Sequence, residues 1–335
     1  MIGLLLSACW LMAGCSVIDD DLSDCPADEQ QYQMVYQLKL VTNMTTEIST
    51  QLDAVTETSV ANALKEYLKN IFTDYAHDVD LSFYDTDGSL ARLHHDTHIM
   101  DANQKSYTLT LPMRKYQHLA VANIADDEMV SLTGDEYCNT SELIQDESTK
   151  AAVSLKHISS HTTGVFTARQ SMEVLEGVDQ TFHVKLYMVN SAATLVLNPK
   201  EHPYKDIKVY TTGFASAFHI NDSAYVYSDN PPLVEAKPVK NDSKLLCFCS
   251  VNFPSRDATK AATDQSLWKI KVYLTKMDGK VTETVLDIKE ALKAGNLKII
   301  KGELDDDGAV RPYDSKVGAS VMLDWNEGGS YDPDL

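Results

Sequence analysis

The chain is short of positive charge: 29 Lys and Arg stand against 49 Asp and Glu, a formal net charge of −20. So acidic a surface repels phosphate backbones and anionic headgroups, so nucleic acid is not an expected partner and any membrane attachment has to be covalent. Arginine is scarcest at the start, where the first in the chain is Arg92. None of the six cysteines (Cys9, Cys15, Cys25, Cys138, Cys247 and Cys249) stands in a C-x-x-C pair, which argues against a zinc or thioredoxin-like redox centre. There is no G-x-S-x-G, phosphate-binding glycine loop or dinucleotide fingerprint. No catalytic apparatus, cofactor or enzyme activity is therefore expected. No short-period repeat or low-complexity tract is evident.

What is present is the composition of a folded protein, 44% hydrophobic and 23% charged over 335 residues, long enough for two domains. Tyr32, Met34, Tyr36, Leu38 and Leu40 alternate with Gln33, Gln37 and Lys39, the period of a half-buried strand. Leu64, Tyr67, Leu68, Ile71 and Tyr75 follow helical spacing and predict one helix over 60–75. Strand patterns return at Val79–Phe83, Tyr107–Leu111, Leu119–Val121, Val184–Met188, Leu195–Leu197, Ile207–Tyr210, Leu245–Phe253, Trp268–Leu274 and Ala319–Trp325. Asp278-Gly279 marks a hairpin turn. Short strands between turn signals predict a mainly β fold of two β-sandwich domains with one helix in the first. The boundary is placed near Gly177, giving residues 29–176 and 177–335.

The leader has its own logic. Met1 to Met12 is apolar and uncharged, too short for a bilayer-spanning helix of about 20 residues but suited to a signal-peptide core. Leu11-Met12-Ala13-Gly14-Cys15 resembles the bacterial lipobox, which implies removal of residues 1–14 and lipidation of Cys15. Met12 stands where such boxes usually carry Leu, and the leader has no Lys or Arg. Each buried CH₂ contributes about 0.8 kcal/mol, so more than one acyl chain gives stable attachment. Residues 15–28 read as an acidic tether. Its Asp19, Asp20, Asp21 and Asp24 resemble the surface-export signal of Bacteroidia lipoproteins, and the expected location is the outer membrane, exposed at the surface. The four remaining cysteines allow two disulfides, Cys25 with Cys138 being one candidate. Cys247 and Cys249 share a strand face, where a direct bridge fits poorly, and buried thiols are the other reading.

The lipobox, the acidic spacer and Asp24-Cys25-Pro26 together resemble the fimbrillin-like anchor subunits of Bacteroidia, the FimB-type fimbrial family. Val79 to Gly88, Phe182 to Leu197 and Val321-Met322-Leu323-Asp324-Trp325 are similar to strand segments of that family. The resemblance implies two transthyretin-like β-sandwich domains and a lipid-anchored structural subunit that roots a fimbrium and joins stalk subunits by β-strand addition. Main-chain hydrogen bonds supply affinity in such joints, and alternate side chains fix register. Ala319, Val321, Leu323 and Trp325 are the strand-exchange candidates. Stalk subunits of this class lose their first strand to an arginine-specific protease, and the absence of arginine before Arg92 favours a subunit that keeps it. A carbohydrate-binding surface lipoprotein and a fimbrial tip adhesin are the alternatives.

Other constellations point weakly to chemistry. His94, Asp96 and His98 alternate and would share one strand face, but a wet hairpin face explains them better than a metal. His157 and His161 would share a helix face, without the rest of a zincin motif. Asp85-Thr86-Asp87-Gly88 reads as a type I turn rather than a calcium loop, and Asp305-Asp306-Asp307-Gly308 as a solvated turn. Asp222-Ser223-Ala224 resembles the short O-glycosylation sequon of Bacteroidia.

Overall fold

A computed structural model describes residues 31–71, 78–87, 91–99, 106–124, 130–131, 136–138, 157–257 and 265–325. The first half runs β1 (Gln31–Val41), α1 (Met44–Gln51), α2 (Thr58–Ile71), β2 (Asp78–Tyr84), β3 (Arg92–Ile99), β4 (Ser106–Pro112), β5 (Lys115–Ala122), β6 (Val130–Ser131), β7 (Glu136–Cys138), β8 (His157–Ser159), β9 (Phe166–Glu173) and β10 (Gln180–Met188). The second half continues with β11 (Ser191–Asn198), β12 (Asp206–Thr212), β13 (Ala217–His219), β14 (Ala224–Val226), β15 (Leu233–Glu235), β16 (Lys237–Pro238), β17 (Leu246–Asn252), β18 (Trp268–Thr275), β19 (Val281–Ile288), β20 (Leu297–Leu304), β21 (Val310–Pro312) and β22 (Gly318–Trp325). The fold is mainly β, as the alternation of the sequence predicts.

Four sheets form. Seven strands make the first, in the order β3-β2-β5-β9-β10-β1-β4. Two more, β16-β17-β11-β20-β21 and β22-β19-β18-β12-β15-β8, face each other as a sandwich. The small sheet β14-β13-β7-β6 lies against the outer side of the first, where Leu119 and Val121 of β5 bury against Phe218, Ile220 and Phe253. The change of sheet falls between β10 and β11, at Val189–Asn190, beyond Gly177. That glycine occupies a β9–β10 turn with φ +66°, and β10 beyond it completes the first sheet alongside β1.

Strand β11 shows how one sequence serves two cores. Every residue from Ser191 to Leu197 is buried, because both faces of an inner strand are covered. Ala192 and Val196 join the core under the first sheet, while Ala193, Leu195 and Leu197 point into the sandwich. Strand β17 divides the same way, with Cys247, Cys249 and Val251 toward the first sheet and Phe248 toward the sandwich. The helices supply most of what lies between: Met44, Ile48 and Leu52 from α1 and its end, and Val60, Leu64 and Leu68 from α2.

Helix α2 falls on the predicted stripe. Helix α1 is an addition to it. Its Thr45, Thr46 and Thr50 are poor helix formers, but Met44, Ile48 and Leu52 sit four apart on the buried face. Its other contacts explain why it folds. Gln51 donates from Nε2 to the Leu297 carbonyl (2.8 Å) and accepts at Oε1 from the Ile299 amide (2.8 Å), while Glu47 accepts from the Leu297 amide. Two side chains one turn apart thus act as a surrogate strand along the start of β20, where β21 does not reach.

Candidate functional site

The features the sequence marks for assembly are the two ends of the chain, and the strands there differ in kind. Strand β1 is second from the edge, parallel to β10 and antiparallel to β4. Met34, Tyr36 and Leu38 are buried on its inner face. The Tyr36 hydroxyl bonds Nε2 of His118, itself fully buried on β5. His118 Nδ1 lies 3.0 Å from the Ser82 carbonyl. A carbonyl only accepts, so Nδ1 carries the proton, Nε2 is the acceptor and Tyr36 donates. Phe83 stacks on the imidazole, with ring centroids 4.4 Å apart. Burial drives the His118 pKa down to about 4 and that of the Tyr36 phenol well above its ordinary value.

Strand β22 is held on one side only. It pairs with β19, Leu286 facing Ala319 and Thr284 facing Val321, with a register irregularity between Val281 and Glu283. Paired residues share a face, and Leu286 is completely buried in the sandwich core, so Ala319 and Val321 point toward the core side. Yet Val321 is 47% exposed and Met322, on the other face, 44%. The opposing sheet ends at β21, three residues long, and Val321 on the core side of β22 is only partly covered. The side chains of Leu323 and Trp325 lie outside the described residues.

Cys15 and Cys25 lie outside the described residues, as does the side chain of Cys138, whose backbone ends β7 opposite Ala217. Cys247 and Cys249 are free, buried thiols. Burial pushes both pKa values up, that of Cys249 to about 12, which leaves them inert. His94 packs beside Phe83 with centroids 5.7 Å apart, and the side chain of His98 is not among those described. Residues 157–159 form strand rather than helix, because β8 pairs in parallel with β15. His161 follows in a coil, where its amide bonds the Val251 carbonyl and its Nδ1 accepts from Asn190 Nδ2 at 2.7 Å. Among the described residues no group of three His, Cys, Asp or Glu gathers as metal ligands.

The turns fall where composition places them. Asp85 pairs with Arg114 at 2.7 Å. Asp305 Oδ1 accepts from the amides of Asp307 and Ala309, with Gly308 at φ +78°. Gly279, at φ +86°, turns β18 into β19. Ser223 sits at the β13–β14 turn with φ +52°.

The family model described as Mfa2, fimbrillin-A associated anchor proteins Mfa1 and Mfa2, matches residues 35–242. The chain belongs to that family. The match runs from within β1 to just short of β17, so β22 lies beyond it. No curated protein sequence matches the chain.

Among solved structures, a candidate adhesin from Bacteroides ovatus is similar at 15% identity and TM-score 0.46, over 93% of this chain and 100% of that one. A second candidate adhesin, from Bacteroides thetaiotaomicron, is 10% identical at TM-score 0.49, over 87% and 97%. The tip fimbrial protein Mfa3 from Porphyromonas gingivalis, solved with a C-terminal truncation, is 12% identical at TM-score 0.43, over 88% and 100%.

Proposed function

We propose that this chain is a structural subunit of a surface fimbrium, held in the outer membrane by lipid on Cys15 and joined to stalk subunits by β-strand addition through β22. Family membership supports the fimbrial role. The observation that carries the strand-addition reading is the open flank of β22. Its second edge is unpaired among the described residues, and its core-side Val321 remains 47% exposed where the opposing sheet runs out. An added strand there would gain main-chain hydrogen bonds and bury apolar surface at once.

The anchor reading rests on β1 and on the leader. Strand β1 is paired on both sides and contributes Tyr36 to the core, and no arginine precedes Arg92 to offer a cut to an arginine-specific protease. The lipobox-like Cys15 supplies the attachment point, and residues 15–28 the tether. Replacing Cys15 with Ala tests the anchoring directly. Filaments should appear in the medium rather than on cells, and filaments that stay cell-bound in that variant would overturn the reading.

A further inference from the structure

On the first sheet, far in sequence from β22, strands β9 and β10 begin to pair and then stop. They share only two register pairs, Tyr187 with Thr167 and Met188 with Phe166. Each is fully paired on its other side, β9 with β5 over its whole length and β10 with β1. At the far end the gap is bridged not by main chain but by Gln180, whose Nε2 donates to the Glu173 carbonyl (3.3 Å) and whose Oε1 accepts from the Leu175 amide (2.9 Å). Between these two closures lies a cleft of about 840 Å³, lined by Arg169, Gln170, Ser171, His183, Lys185 and Tyr187.

The register sets like charges at the mouth of this opening. Continuing the pairing by one pleat would set Lys185 directly opposite Arg169 on the outer face, because successive cross-strand partners step by two in opposite directions. Like charges directly opposed across an antiparallel pair are destabilising. Among the described residues no carboxylate lies within ion-pair distance of either cation. Arg169 instead donates to the Asn221 carbonyl in the β13–β14 turn, and that hairpin forms one wall, with Ser223 at its rim. In a chain of net charge −20 this is a local concentration of the scarcer sign.

We propose that this cleft accepts an extended, acidic polypeptide strand from another protein, inserted between β9 and β10. Two facing rows of main-chain donors and acceptors stand unladdered across the gap, which an extended peptide satisfies through its backbone. Acidic side chains at alternate positions would meet Arg169 and Lys185 on the outer face and offset their like charge. The opposite alternate positions would lie over the buried Val184 and Leu186. A glycan would satisfy the cations but leave the main-chain rows unladdered.

The test uses the full chain and a synthetic peptide of alternating Glu and Val, with an alternating Lys–Val peptide and polygalacturonate as comparators. Calorimetry should show binding of the Glu–Val peptide and none of the Lys–Val peptide. Hydrogen exchange should slow at amides 168–172 and 181–185 when it binds. Lys185→Glu places opposite charges across the gap, so it should close the cleft: peptide affinity falls at least about tenfold, the loss of one charge-assisted contact, and the same amides slow without peptide. Should Lys185→Glu perturb folding, Lys185→Gln serves, with the same loss of affinity expected. Protection in the free wild-type chain of the amides in these segments that point into the gap, rather than toward β5 or β1, would overturn the proposal, as would equal binding of the Lys–Val peptide. Polygalacturonate binding that leaves the peptide without effect would replace it with a glycan site.

Discussion

The first and last described strands of this chain are placed in opposite circumstances. Strand β1 has neighbours on both sides and buries Met34, Tyr36 and Leu38. Strand β22 has one neighbour and leaves Val321 and Met322 nearly half exposed. Both alternate apolar and polar side chains, so alternation alone does not separate a strand that holds a domain together from one that awaits a partner. What separates them is the number of paired edges and what stands across the core.

The largest expected effect comes from β1. Tyr36→Ala removes a fully buried ring and leaves His118 Nε2 without its donor, so urea denaturation should show a loss of about 3–5 kcal/mol. A loss under about 1 kcal/mol would mean β1 is not the fixture its burial indicates. Acid provides a second route to the same half of the molecule. His118 and His161 have pKa values held down at about 4 and about 3 by burial, against roughly 6.5 in an unfolded chain. Between those values the unfolded state binds more protons, so stability falls as pH drops below about 6.5 and levels off once both folded-state values are passed. The loss is on the order of 3 kcal/mol or more per histidine, and unfolding midpoints measured from pH 7.5 to 3.5 check it. A midpoint that holds steady to pH 4 would contradict the buried neutral assignment.

A smaller effect is expected where α1 shields β20. Gln51→Ala orphans the Leu297 carbonyl and the Ile299 amide, a cost of about 1–3 kcal/mol readable as a lower thermal midpoint. The smallest belongs to β22. Val321→Ala should change stability by no more than about 0.5 kcal/mol, as for an exposed surface position. Val321→Asp should be equally mild in the isolated chain while weakening its joint with a stalk subunit in a pull-down. Strong destabilisation by either would erase the contrast between the two ends.

Much of this was legible in the sequence. Period-two runs locate β1, β4, β10, β18 and β22, helical spacing locates α2, and Asp-Gly and Asp-rich clusters locate the turns. Three things were not. Helix α1 hides behind β-branched threonines and is stabilised by Glu47 and Gln51 reaching a strand some 250 residues away, with separations of 250 and 246. The change of sheet at Val189–Asn190 carries no turn signal in the sequence, whereas Gly177, with φ +66°, turns β9 into β10 within one sheet. The β9–β10 cleft shows only in the register, where pairing stops after Tyr187–Thr167 and Met188–Phe166. Cys15, the proposed attachment point, is by contrast readable only from its local motif.

The most direct test of the proposal that the chain is rooted at its start and joined at its end is photo-crosslinking on intact cells from two positions, Val35 on the outer face of β1 and Val321 on β22. The account predicts adducts with a fimbrial subunit from position 321 and none from position 35. Adducts from both positions alike, or from position 35 alone, would contradict it.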